Sequence, residues 1–186
     1  MPETAFASTT VPVQGEALVP LASFIRPFQR HYFSRLPERP NYRARSYDFA
    51  GVPALMPLVR AFLDTCAATE TNDYRYLFTL LGSELANNAL RHSLSGQPGG
   101  TYTLRVRRDK EGLRLACRDR GGLRTRNTHL APSSGGLDLG AESGRGLAMI
   151  DALATSWGDN GNVEYRTVWL YLAYDLTTSA WNTATN

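Results

Sequence analysis

Lysine is nearly missing: the chain of 186 residues carries one, Lys110, against 19 arginines. The positive charge is spread over most of the sequence instead of gathered in one basic block. The net +3 therefore reads as solvated surface, and direct nucleic-acid binding, which concentrates charge on a stripe, is not expected. Cysteine is scarce as well. Cys66 and Cys117 stand far apart with no CxxC or Cys/His spacing, which excludes a recognisable zinc site or disulfide framework. Each reads as a small buried apolar side chain. No apolar run approaches the roughly 18 residues of a membrane span, and the N-terminus has neither the basic start nor the apolar stretch of a signal peptide. The expectation is a cytosolic chain without membrane contact.

What is present is the composition of a soluble globular protein, with 42% apolar and 20% charged residues, and a length that suits one domain plus an appendage. Residues 1–44 hold six of the ten prolines and no sustained period, so they read as an N-terminal extension; its Phe24–Phe33 stretch, rich in aromatics and arginine, suggests docking on the domain or on a partner. Residues 45–175 are regular, and 176–186 form a short tail.

Tyr47 and Phe49 alternate with polar neighbours as on a strand. Leu55, Leu58, Val59, Phe62, Leu63 and Cys66 then recur at helical spacing behind Pro53, which is tolerated in a first turn. Thr71 and Asn72 are N-cap candidates for a second helix reaching about His92. Alternation over Tyr102–Val106 and Leu113–Cys117, joined through Asp109-Lys110-Glu111-Gly112, predicts a hairpin. Seven glycines lie from Asp119 through Gly146 without a clear period, and a loop of that length usually serves a site. Leu147, Ile150 and Leu153 restore a helix, and Asp159-Asn160-Gly161-Asn162 turns into a last strand over Val163 to about Tyr174. This order predicts an α/β two-layer sandwich, a mixed and mostly antiparallel sheet covered on one face by about three helices.

Three pieces carry chemistry. Leu77, Leu81, Glu84 and Asn88 project from one side of the second helix, so a carboxylate and a carboxamide share a stripe that faces inward. Buried there, they need either each other and the backbone or a ligand. Asp119 leaves a strand end beside Arg120-Gly121-Gly122 and is suited to accept a hydrogen bond from an exocyclic amine; an ordinary turn is the plainer reading. Gly144-Arg145-Gly146-Leu147 precedes a helix, where backbone N–H groups and the helix dipole favour phosphate oxygens, although such a glycine pair alone is weak evidence. His92, at the end of the second helix, reads as a rim residue.

Together these pieces resemble the GHKL superfamily of ATP-binding domains. Glu84 to Ser93 is similar to its N box, Asp119-Arg120-Gly121 to its first glycine box, and Gly144 to Gly158 to its second, in the version of RsbW-type anti-sigma factor kinases. Arg166-Thr167-Val168-Trp169 resembles the strand that closes that domain. The resemblance implies ATP and Mg2+ as cofactors: Asn88 as the Mg2+ ligand, Glu84 activating the attacking hydroxyl or water, Asp119 receiving the adenine amine. Asn87, Gly121, Gly144, Arg145, Gly146, Leu147 and Thr167 would line the nucleotide, and residues 120–143 would form a lid. It also implies the partners: an anti-anti-sigma (STAS-type) protein as phosphorylation substrate, a sigma factor, and a second copy of the chain in a homodimer. Leu123 stands where the family's first glycine box often carries another glycine, which leaves open a nucleotide-binding regulator with little kinase activity. A histidine kinase would need a dimerising helical hairpin, and the proline-broken extension offers none.

Overall fold

The computed structural model describes residues 21–33, 42–122, 129–130, 145–177 and 179–184. Five strands form one sheet: β1 (Ala44–Ala50), β2 (Thr101–Arg108), β3 (Gly112–Arg118), β4 (Ser156–Asp159) and β5 (Thr167–Ala173). Their spatial order is β1-β2-β3-β5-β4, and all four pairings are antiparallel. The helices are α1 (Met56–Cys66), α2 (Asn72–His92), α3 (Arg145–Leu153) and a short α4 (Ala180–Ala184).

Period two in the strands decides the layering. Tyr47, Phe49, Tyr102, Leu104, Val106, Leu113, Leu115, Cys117, Val168, Leu170 and Leu172 all point to one side and are buried with Val59, Phe62 and Leu63 of α1, Leu77, Phe78, Leu81 and Leu85 of α2, and Ile150 of α3. The result is the α/β two-layer arrangement, helices on one face of an open sheet. A fully buried Phe such as Phe62 contributes on the order of 2 kcal/mol through removal of its ring from water. Helix α2 starts where its cap dictates: the Thr71 hydroxyl accepts from the Tyr74 N–H at 3.3 Å. Its Tyr74 hydroxyl crosses the core to the Leu172 carbonyl at 2.7 Å, and Arg75 grips both oxygens of Asp64 on α1 at 2.7 Å.

Part of the N-terminal extension lies on this body. The Tyr47 hydroxyl donates to the Phe24 carbonyl at 2.7 Å, and Phe33 sits edge-on to Tyr47 with ring centroids 4.9 Å apart. Buried Arg45 donates to the Thr65 carbonyl and lies over the Tyr42 ring at 4.3 Å. The prolines that mask any sequence period here leave short 3-10 turns over Leu21–Phe24 and Pro27–Tyr32.

Two details differ from the sequence expectation. Strand β4 was not expected, because Ser156-Trp157-Gly158-Asp159 is a short edge strand with a glycine and no apolar alternation. The closing strand starts at Thr167 rather than Val163, since residues 160–166 are held in turns by Asn160 and Asn162, whose side-chain oxygens accept backbone N–H groups at 2.8–3.3 Å. Both cysteines are buried and free, and burial pushes the Cys66 thiol up to about 12. Among the described residues no helix is long and apolar enough to cross a membrane.

Candidate functional site

The C-terminal half of α2 supplies the first wall. Leu85, Ala86 and Ala89 are buried in the core, which rotates Glu84, Asn87 and Asn88 to the margin of the helix, where all three are half-buried. The stripe expected to face fully inward thus lies at the edge of the core, open on one side. Among the described residues none of these three side chains has a hydrogen-bond partner.

Helix α3 presses its first turn against this margin. A Cβ on Gly146 would lie 2.6 Å from Oε2 of Glu84, so glycine here leaves the Glu84 carboxylate room to lie against the first turn of α3. The Glu84 carboxylate thereby occupies the N-terminal end of α3, where unpaired N–H groups and the helix dipole favour negative charge. Buried Ala148 and Ile150 anchor α3 below this contact. Arg145 opens the helix, and Leu147 is half-buried in its first turn. Gly144 and most of the 120–143 segment lie outside the described residues.

The second wall is Asp119, one residue beyond β3 and only 9% exposed. Its Oδ1 accepts the Gly121 N–H at 2.7 Å, and its own N–H donates to the Arg166 carbonyl at 2.9 Å. Burial raises the carboxyl above its ordinary range, only partly countered by the Gly121 N–H and by the Arg166 charge and backbone. A carboxylate short of compensation in this way gains from any further donor, such as an exocyclic amine. Gly121 takes φ +68°, and a Cβ there would overlap the Val163 carbonyl. The Gly121 carbonyl accepts from Leu94 N–H at 2.6 Å, and Gly122 N–H donates to Val163 at 3.2 Å, which ties this corner to the end of α2. Thr167 pairs with Arg118 in the β3–β5 register and is fixed through its N–H on Asn160 Oδ1 at 3.0 Å.

Gly146 therefore touches α2 at Glu84, while Gly122 lies close to the His92 carbonyl, eight helical residues or about 12 Å further along, and the Gly121 carbonyl takes the Leu94 N–H just past the helix end. Asn87 and Asn88 lie between. His92 is exposed at the rim. The sequence pattern of the histidine kinase-like ATPase domain matches residues 49–171, from β1 into β5. The chain belongs to that family. It is thus a GHKL-type ATP-binding domain, and the match encloses every residue from Glu84 to Thr167. No curated protein matches the chain.

The donor set fits the ligands this family binds, ATP and usually Mg2+. Among the described residues no three His, Cys, Asp or Glu side chains gather around one point, so an all-protein metal cage is not the arrangement offered. A half-buried carboxamide oxygen without a partner, as on Asn88, suits a cation that keeps waters and takes most of its oxygens from phosphates.

Sequence reasoning overlooked Arg166 and Asp159. Arg166 is buried, supports Asp119 with its carbonyl and charge, and pairs with Asp159 at 3.3 Å. Asp159 Oδ1 also lies 2.9 Å from His129 Nδ1 and accepts the Leu130 N–H at 3.3 Å. The signal was there in the Asp159-Asn160-Gly161-Asn162 turn, which read only as a connection.

Proposed function

We propose that the chain is an ATP-dependent serine/threonine protein kinase of the anti-sigma type, which phosphorylates an anti-anti-sigma (STAS-type) protein and, as a cytosolic homodimer, regulates a sigma factor. The observation that carries the catalytic part is the packing of Gly146 on Glu84: an unpartnered carboxylate stands where a helix N-terminus attracts phosphate, with Asn88 one turn away.

In this reading Asp119 accepts the adenine amine, an interaction that offsets the burial of its carboxylate. Thr167 and Gly121 shape the adenine end, while Gly144, Arg145, Gly146 and Leu147 line the phosphate end and Asn87 supports Asn88. Mg2+, held through the Asn88 oxygen, would neutralise phosphate charge. Glu84 accepts the proton of a serine or threonine hydroxyl as its oxygen bonds to the γ-phosphorus and ADP leaves. Positioning supplies most of the rate.

The alternative, a nucleotide-binding regulator that acts by sequestration, is favoured by Leu123 in place of a glycine in the first box. Transfer of γ-labelled phosphate to the cognate partner decides between them. The kinase reading expects transfer by the native chain and loss of transfer in Glu84→Gln with ATP binding kept; ATP binding without transfer in the native chain would leave the regulator.

A further inference from the structure

The outer face of the sheet, opposite the helices, is also ordered by the strand period. It carries Arg105 and Arg107 of β2 and Arg114 and Arg118 of β3, all exposed. Dispersed along the sequence, these charges meet in the fold. Arg107 and Arg114 stand directly opposite each other in the β2–β3 register, where like charges destabilise the pairing. Among the described residues none of the four forms an ion pair. Two carboxylates border the patch and both are engaged: Asp48, beside Thr103, is held by the Thr103 hydroxyl at 2.7 Å and by Arg26 at 3.4 Å, and Asp109, two residues past Arg107, accepts the Glu111 and Gly112 N–H groups at 2.9 and 2.8 Å and the Tyr171 hydroxyl at 3.3 Å.

Two of the arginines are stacked. The Arg114 guanidinium lies 3.9 Å from the ring centroid of Trp169, whose indole rests on Gly158, and Arg118 lies 5.0 Å from the Tyr165 ring. Stacking fixes the guanidinium plane and leaves its N–H edge free for a planar oxyanion such as a carboxylate, which it can bind through two parallel hydrogen bonds. Arg105 and Arg107 project about 7 Å apart along one strand, the spacing of alternate residues in an extended peptide.

We propose that this face is a docking surface for an acidic, carboxylate-bearing segment of a partner protein. Charge complementarity selects that occupant. A second copy would bring arginines against arginines. A single-stranded nucleic acid would use free aromatic faces for base stacking, whereas here arginine covers them. The proposal does not rest on the nucleotide site, which lies among α2, α3 and the end of β3.

The test uses the full chain and a fluorescein-labelled poly-L-glutamate peptide, followed by fluorescence anisotropy at low and moderate salt. Arg107→Gln/Arg114→Gln is expected to weaken peptide binding at least about tenfold, with Mg-ATP affinity unchanged, while Arg60→Gln on α1 leaves both unchanged. Circular dichroism confirms folding, and Arg105→Gln serves as a second probe should the double variant misfold. Unchanged peptide binding in these variants overturns the proposal. So does tighter binding of oligo-thymidylate than of the peptide, lost in the same variants, or a homodimer that dissociates when the arginines are removed.

Discussion

Gly146→Ala separates the stability of this fold from its chemistry. The added methyl would stand 2.6 Å from Glu84 Oε2 and 3.5 Å from its Cβ and Cδ. Restoring an ordinary non-bonded separation requires the carboxylate to retreat by about 1 Å. The obstacle is the tip of a flexible side chain, so the fold accommodates it, and alanine is itself a better helix former than glycine by up to about 1 kcal/mol. The thermal midpoint should stay within about 4 °C of the native value, or rise. Phosphoryl transfer should fall, because a 1 Å displacement of a positioned group costs about a hundredfold. Single-turnover release of labelled phosphate from ATP measures the rate, and calorimetric titration with Mg-ATP shows whether binding persists. A double-variant cycle sharpens the test: in a Glu84→Ala background there is no carboxylate to displace, so Gly146→Ala should cost almost nothing further. Full activity in Gly146→Ala, or additive losses in the cycle, would refute the reasoning.

Other outcomes follow from the same geometry. Thr71→Ala removes the α2 cap and should cost about 1 kcal/mol, read as a lower denaturant midpoint with unchanged slope. Gly121→Ala forces a side chain into positive φ and onto the Val163 carbonyl; urea unfolding should show a loss above the roughly 1–2 kcal/mol of left-handed strain alone. Asp119 has a raised folded-state pKa, so its contribution to stability is present below the unfolded carboxyl range and is lost as pH rises through the folded value. Asp119→Asn should accordingly gain on the native chain between pH 4 and neutrality, measured by urea midpoints, while its ATP affinity drops; a stability difference that does not vary with pH would contradict the burial argument. Cys66, with its thiol pushed up to about 12, should resist alkylation at mildly alkaline pH until the chain is unfolded.

The sequence made the inner layer legible because burial repeats with the period of each element: Leu77, Leu81 and Leu85 marked one side of α2, and Leu113, Leu115 and Cys117 one side of β3. The same alternation placed four arginines on the outer side, but the linear spread of charge hid the fact that β2 and β3 bring Arg107 and Arg114 face to face. Strand β4 escaped because four residues with one large apolar side chain carry no period. Residue types and spacing were enough to nominate the candidate site. What spacing does not encode is distance between elements, so the contact of Gly146 with Glu84, the Leu94–Gly121 tie and the support of Asp119 by Arg166 emerged only in three dimensions. The docking of Phe24–Phe33 was legible in its aromatics and arginine, but its turns were not, because 3-10 turns between prolines have no amphipathic signature to read.

The central claim is a nucleotide pocket along α2 in which Asn88 serves the metal. Isothermal titration of the native chain and of Asn88→Ala with ATP, each with Mg2+ and with EDTA, tests it directly. The account predicts magnesium-dependent binding by the native chain, lost in a variant whose circular dichroism and thermal midpoint are unchanged. Equal affinity of both proteins for Mg-ATP would contradict it.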